Sequence, residues 1–195
     1  MNWIGKAAAA AGVLFLAGCL PVTSKAPLGT TTGLGADAAL YGTWKGHSPD
    51  AQDAHDGYFH FMKAKDGSIT AAVILAAGGD DDGWTIFHVQ TAVLGKHHFI
   101  NAVETFDKDA AAEGRMQNAN IPLLYVVKGR RLTLYLLDED KAKAAIKAGK
   151  LAGTVEPGED GDVTLTAEPE ALDAFMARPE AEGLFKLMMV LKKVE

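Results

Sequence analysis

From Leu40 to the end of the chain, aromatic and β-branched residues alternate with polar ones in short runs, and glycine, aspartate and lysine mark the breaks between runs. An alternation of period two places successive side chains on opposite faces of a strand, so this pattern predicts antiparallel strands folding back on one another. The runs predict strands at Leu40–Gly46, Gly57–Lys63, Ser68–Ala76, Trp84–Leu94, His98–Thr105, Leu123–Lys128 and Arg131–Leu137. Lys65-Asp66-Gly67, Gly95-Lys96-His97 and Gly129-Arg130 are short enough to force hairpins, because glycine reaches the positive φ that tight turns need.

After Leu137 the period changes. Asp138–Leu151 is rich in Ala and Lys, opens with acids and carries Ala142 and Ile146 at helical spacing, which predicts a short amphipathic helix with Asp138 as its N-cap. A strand at Asp162–Ala167 follows a turn-forming Pro-Gly-Glu-Asp-Gly run, and a second helix at Pro169–Ala177 begins with proline at its first position, with Leu172, Phe175 and Met176 on its apolar side. Leu184–Val194 is expected to be a last, largely buried strand. The fold class is therefore mainly β with two helices: an antiparallel barrel or half-barrel of about eight strands.

The residues before Leu40 read differently. Lys6 is followed by an apolar run, Ala7–Leu16, and then by small residues at Ala17 and Gly18, which is the layout of a secretory signal peptide and too short for a bilayer-spanning helix. At its end stands Leu16-Ala17-Gly18-Cys19, which resembles the lipobox of bacterial lipoproteins. The resemblance implies cleavage after Gly18, a thioether-linked diacylglycerol on Cys19, and an acyl chain such as palmitate on its new amino group. Two or three acyl chains hold a soluble domain on a membrane where a single chain is marginal. Leu20 follows the cysteine, and by the same resemblance the absence of an aspartate there favours the outer over the inner membrane, with the domain facing the periplasm. Leu20–Ala39, with its prolines, glycines and hydroxyl residues, reads as a flexible tether, giving a signal at residues 1–18, a lipidated tether at 19–39 and one domain at 40–195.

Composition narrows the chemistry. The chain has 195 residues, 48% of them hydrophobic, which is enough apolar surface for one folded core. Nineteen Lys and Arg against twenty-five Asp and Glu give a formal net charge of −6, and no stretch is strongly basic, so a nucleic-acid partner is not expected. Cys19 is the single cysteine, so its lipidation leaves no thiol for a disulfide, a nucleophile or a thiolate metal site.

Gly42-Thr43-Trp44, at the start of the folded part, resembles the Gly-x-Trp motif that opens lipocalin-like barrels. In that family the tryptophan plugs the closed end, the glycine lets the first strand turn beneath it, and an arginine late in the chain lies over the ring. The last strand here offers Lys192 and Lys193, with Arg178 outside it. The resemblance implies a cavity for one small ligand. Trp44, Tyr58, His60, Trp84, His88, Tyr125 and Tyr135 are the candidate lining, since aromatic bodies with one polar tip suit such pockets. His60 shares a strand face with Tyr58 and Met62, and His88 shares one with Trp84, Ile86 and Gln90. His97 and His98 are adjacent and point to opposite sides.

Other constellations are weaker. His55 with Asp50, Asp53 and Asp56 could converge on an ion, but the spacing fits no zinc motif and a solvated polar loop accounts for it. Gly78-Gly79-Asp80-Asp81-Asp82-Gly83 lacks the acids that an EF-hand requires at its first and twelfth positions. No Gly-x-Ser-x-Gly elbow, P-loop or His-Glu-x-x-His occurs, so no cofactor, metal or catalytic residue is assigned. The resulting expectation is a membrane-anchored, non-catalytic module for a small apolar or amphipathic ligand. The alternative is a protein-interaction lipoprotein acting in envelope assembly or as an enzyme inhibitor.

Overall fold

The structure is a computed structural model and describes residues 22–47, 56–76, 83–105, 119–157 and 161–194. The strands, in chain order, are β1 (Thr23–Ser24), β2 (Gly42–His47), β3 (Asp56–Lys63), β4 (Ile69–Ala76), β5 (Gly83–Leu94), β6 (His97–Glu104), β7 (Ile121–Lys128), β8 (Arg131–Leu137), β9 (Gly153–Val155), β10 (Val163–Leu165) and β11 (Phe185–Lys193). The helices α1 (Glu139–Lys147) and α2 (Pro169–Met176) lie between β8 and β11.

Eight strands close into an antiparallel barrel in the order β11-β2-β3-β4-β5-β6-β7-β8, consistent with a lipocalin-like barrel. Sequential strands pair as hairpins, and the barrel closes where β11 adds to both β2 and β8. Closure leaves the barrel no free edge, so each of its eight strands is paired on both sides. One irregularity sits in β11, where the register with β8 shifts between Leu187 and Met189. This bulge buries Met188 and Met189 together and turns Leu187 outward, whereas a regular strand would have kept Leu187 and Met189 on one face. β7 begins two residues earlier than its alternation suggested. Pro122 is tolerated as its second residue, close to the strand's start.

The barrel interior is the first of two cores. Phe59 and Phe61 from β3, Ala71 and Val73 from β4, Phe87 and Val89 from β5, and Leu132 and Leu134 from β8 are all buried there. One end is plugged by residues preceding β2. A 3-10 turn at Ala38–Leu40, capped by the Asp37 side chain, drives Leu40 into the barrel, and the buried Trp44 indole donates from Nε1 to the Leu40 carbonyl at 2.6 Å. Gly42 has φ +112°, a conformation that L side chains rarely adopt, and this lets the chain turn out of the plug into β2.

The second core lies outside the barrel wall. Phe99, Leu124, Leu137 and Phe185 present outward from the wall. They pack against Ala142 and Ala145 of α1, Leu172 and Met176 of α2, Val163 and Leu165 of β10, and Val22 and Leu28 of the N-terminal segment. β1 pairs parallel with β10, which pairs antiparallel with β9, so chain start and late insert share a three-stranded sheet.

This corrects the expected tether. Val22, Leu28 and Leu40 are at most 2% exposed, and the strand, turn and plug of this segment are part of the folded body. The segment is fixed by buried polar groups that composition could not reveal. Asn101 accepts from the Leu28 amide at 2.7 Å and donates to the Leu28 carbonyl at 2.9 Å. Asp173 of α2 accepts from the Gly29 amide, the Thr31 amide and the Thr31 hydroxyl at 2.7, 2.9 and 2.7 Å. Gly29, with φ +88°, approaches Ala92 so closely that a Cβ there would lie 2.0 Å from the alanine methyl.

Candidate functional site

At the plugged end, Lys193 at the close of β11 places its ammonium 5.1 Å from the centroid of the Trp44 ring. A lysine thus occupies the place that the Gly-x-Trp resemblance gave to an arginine, and the contact is a cation–π pair. Tyr125 completes this end: its hydroxyl donates to Asp37 Oδ2 at 2.7 Å, and its ring is 2% exposed. Burial, reinforced by the Asp37 carboxylate, raises the Tyr125 phenol far above its ordinary range, so it stays a neutral donor.

Between the plug and the opposite end lies a cavity of about 40 Å³, with Phe59, Phe61, Phe87, Ile100, Leu123 and Met188 among its lining, which is entirely apolar. Sites for drug-sized ligands run to about 300–1,000 Å³ and carry a few convergent polar groups. The interior is therefore mainly a packed core.

Of the sequence-predicted ligand residues, Trp44 and Tyr125 face inward, but both belong to the plugged end and neither lines the cavity. Tyr58, His60, Trp84 and His88 lie on the outer surface, opposite to the expected orientation. His60 Nδ1 is 2.7 Å from the Thr43 hydroxyl, and His88 Nδ1 is 3.4 Å from the Ser68 hydroxyl, both pairs on the outside. Tyr135 also points out of the barrel and packs half-buried on the second core. The residues that do line the cavity on β3 and β5 are Phe59, Phe61, Phe87 and Val89. The sequence carries a hint of them, since these four are wholly apolar and the opposite faces carry His60, His88 and Gln90, but alternation by itself admits either face.

The outward residues form an ordered row. Tyr58, Ile74 and Trp84 are direct cross-strand neighbours on β3, β4 and β5, and are 36%, 50% and 58% exposed. The same row continues in the other direction as Lys45 on β2, Lys192 on β11, Arg131 on β8 and Lys128 on β7, each directly opposite the next. No stretch of the sequence is strongly basic, yet barrel closure brings together cations from three distant segments. They edge a shallow groove of about 870 Å³. Lys45 joins the two halves of the row, its ammonium 5.1 Å from the Tyr58 ring centroid and 3.4 Å from Asp56 Oδ2. Tyr58 and then Asp56 raise the Lys45 ammonium above its ordinary value, which keeps it charged.

A second surface groove, of about 410 Å³, gathers Asp37, Lys96, His97, His98 and Glu182 beside the β5–β6 turn. His97 is buried and its Nε2 has no hydrogen-bond partner among the described residues, while His98 is exposed and meets the Tyr125 ring edge-on. The two histidines do point to opposite sides.

Among the described residues no group of three His, Cys, Asp or Glu side chains is placed to hold a metal ion. No described helix is long and apolar enough to cross a membrane. Cys19 and its lipobox, His55 with Asp50 and Asp53, and the Gly78–Asp82 run lie outside the described residues. The fold defines an antiparallel β-barrel of lipocalin-like architecture. No known protein family, curated protein or solved structure matches the chain.

Proposed function

We propose that this protein is a lipid-anchored, non-catalytic module of the bacterial cell envelope that works through the outside of its barrel. The single observation supporting this most is that the apolar cavity found inside the barrel holds only about 40 Å³, while the wall exposes an aligned Tyr58–Ile74–Trp84 row. Apolar side chains exposed together in register are a mark of an interaction surface. Anchoring rests on Leu16-Ala17-Gly18-Cys19 and the apolar run before it, with the outer membrane as destination and the periplasm as the side faced.

Two experiments test this reading. The Cys19→Ser chain is expected neither to take up labelled fatty acid nor to be processed, and labelling of that variant overturns the anchor. Native mass spectrometry of the gently extracted wild-type protein is expected to show the lipidated chain with no small molecule inside.

A second reading, a binding module for a small apolar ligand, is supported by the wholly apolar cavity lining and the plug at one end. It takes precedence if an apolar molecule co-purifies and is displaced by Ala71→Leu, which fills the cavity from β4.

A further inference from the structure

We propose that the groove between the β7–β8 turn, β11 and β2 binds a ligand carrying two or more phosphate groups set close together. This goes beyond the outer-surface reading above, since the groove is separate from the exposed Tyr58, Ile74 and Trp84, and it stands or falls independently of that reading.

The first argument is that the cations form one compact face. Arg131 lies directly opposite Lys192, and Lys192 directly opposite Lys45, on the three adjacent strands β8, β11 and β2. Two strand spacings cover only about 10 Å. Lys128 and Arg130 join them from the β7–β8 turn and Lys193 from the end of β11, and all six line the same groove.

The second argument is that this charge is not neutralised. No described acid lines the groove. Asp56, beside it, pairs with Lys45 at 3.4 Å and with His47. Lys128, Arg131 and Lys192 are exposed and have no acidic partner among the described residues. Like charges directly opposite each other destabilise a sheet, and a local rule broken without internal compensation marks a surface shaped by something other than folding. In a chain with a net charge of −6, a cluster of this sign is a site for an anion.

The third argument is that the frame is fixed before anything binds. The Lys193 amide donates to the Arg130 carbonyl at 2.9 Å and Arg130 Nη2 donates to the Lys193 carbonyl at 3.0 Å, which fastens the β7–β8 turn to β11. The Val194 amide donates to the Thr43 carbonyl at 2.8 Å and fastens the end of β11 to β2. At Gly46 a Cβ would lie 2.1 Å from the Val190 carbonyl oxygen, so glycine is what lets β2 lie this close to β11. A rigid frame lowers the ordering cost of binding.

Charge density then selects the ligand. Six cations against Asp56 leave five positive charges on this one small face. A phosphate monoester brings a charge of about −1.5 to −2 and three acceptor oxygens, so two or three of them meet that charge, and the arginine forks suit them. An extended acidic peptide places its same-face carboxylates about 7 Å apart, roughly two over the whole groove, and leaves most of the charge unmet. A single-stranded polynucleotide calls for aromatic stacking platforms, and no Phe, Tyr or Trp lines the groove.

The experiment is isothermal titration calorimetry of the full lipidated chain in nonionic detergent and metal-free buffer, with inorganic tripolyphosphate, fructose 1,6-bisphosphate and orthophosphate as probes. One site per chain is expected, with a multiply phosphorylated probe binding at least about tenfold tighter than orthophosphate. That affinity is expected to fall about tenfold between about 0.05 and 0.2 M salt, as for two displaced counterions. Tighter binding of tripolyphosphate assigns the groove to a phosphoanhydride chain, and tighter binding of the bisphosphate to phosphates spaced along a sugar. The Arg131→Gln/Lys192→Gln chain is expected to lose about tenfold in affinity while its thermal midpoint without ligand stays at or above that of wild type, since a like-charge pair is gone. Lys128→Gln, beside the exposed turn, repeats the test with one charge removed and a loss of about threefold. Lys96→Gln, in the other surface groove, is expected to bind as wild type does. Binding no tighter than that of orthophosphate, or equal binding by wild type and the groove variants, overturns the proposal. So does tighter binding of hexaglutamate or of an oligothymidylate, which assigns the groove to an acidic peptide or a polynucleotide instead. An apolar molecule found inside the barrel would overturn the outer-surface reading without altering these titrations.

Discussion

The two cores are built on opposite principles. Inside the barrel, apolar side chains meet apolar side chains, and from β2 to β8 neighbouring strands are neighbours in sequence, joined by turns as short as Gly129-Arg130, with β11 alone closing from afar. Outside it, the second core joins Val22–Leu28 to helices and strands more than a hundred residues later. There the alignment is set by buried polar groups such as Asn101 and Asp173. An apolar core tolerates small shifts in packing, whereas a buried carboxylate holding three donors permits one alignment only. The barrel thus supplies bulk stability, and the polar bonds pin the chain start to its wall.

The largest effect is expected at the plug. Trp44→Ala removes a fully buried indole and is expected to lower stability by about 3–5 kcal/mol in chemical denaturation. A loss near zero would show that the plug contributes little to barrel closure. Asp173→Ala attacks the other core and is expected to cost about 1.5–3 kcal/mol, since donors at Gly29 and Thr31 lose a charged acceptor. In hydrogen exchange the amides from Leu28 to Thr31 should lose protection first while those of β3 and β4 keep theirs. Uniform loss across both regions would show that the cores unfold as one unit. Ala71→Val, which adds methyl groups beside the cavity, is expected to raise stability by up to about 1 kcal/mol, against a penalty of similar size if the cavity cannot accept them.

Smaller effects are expected on the surface. Lys192→Gln relieves two like-charge neighbours, Arg131 and Lys45, and is expected to raise stability by about 0.2–1 kcal/mol, an increment that shrinks as salt is added. The least effect is expected at Glu182, whose carboxyl Lys96 lowers below its ordinary value at 3.1 Å. A depressed carboxyl stabilises the fold above its unfolded pKa and loses that contribution as pH falls through the folded one, so Glu182→Gln should differ from wild type above that range and converge with it on acidification. Both side chains are exposed, and the difference should be at the limit of measurement.

Much of this architecture was legible in the chain. Strands, hairpins and both helices follow from periodicity and turn residues, because alternation, caps and glycines act over a few residues and leave their mark there. Asp138 does cap α1, accepting from the Lys141 amide at 3.1 Å, and Pro169 does open α2. The sequence also sufficed to mark Gly42 and Trp44 as a structural corner.

What it could not decide was which face of each strand points inward. In β3 the choice lay between Phe59 with Phe61 and Tyr58 with His60. Both sets alternate equally well, and only closure of the sheet assigns the first to the interior and the second to the surface. The cationic cluster had the same origin, since Lys45, Lys128, Arg131 and Lys192 become neighbours only when β11 bridges β2 and β8. Periodicity is a local property of the chain, whereas orientation, burial and the meeting of distant charges are properties of the closed surface.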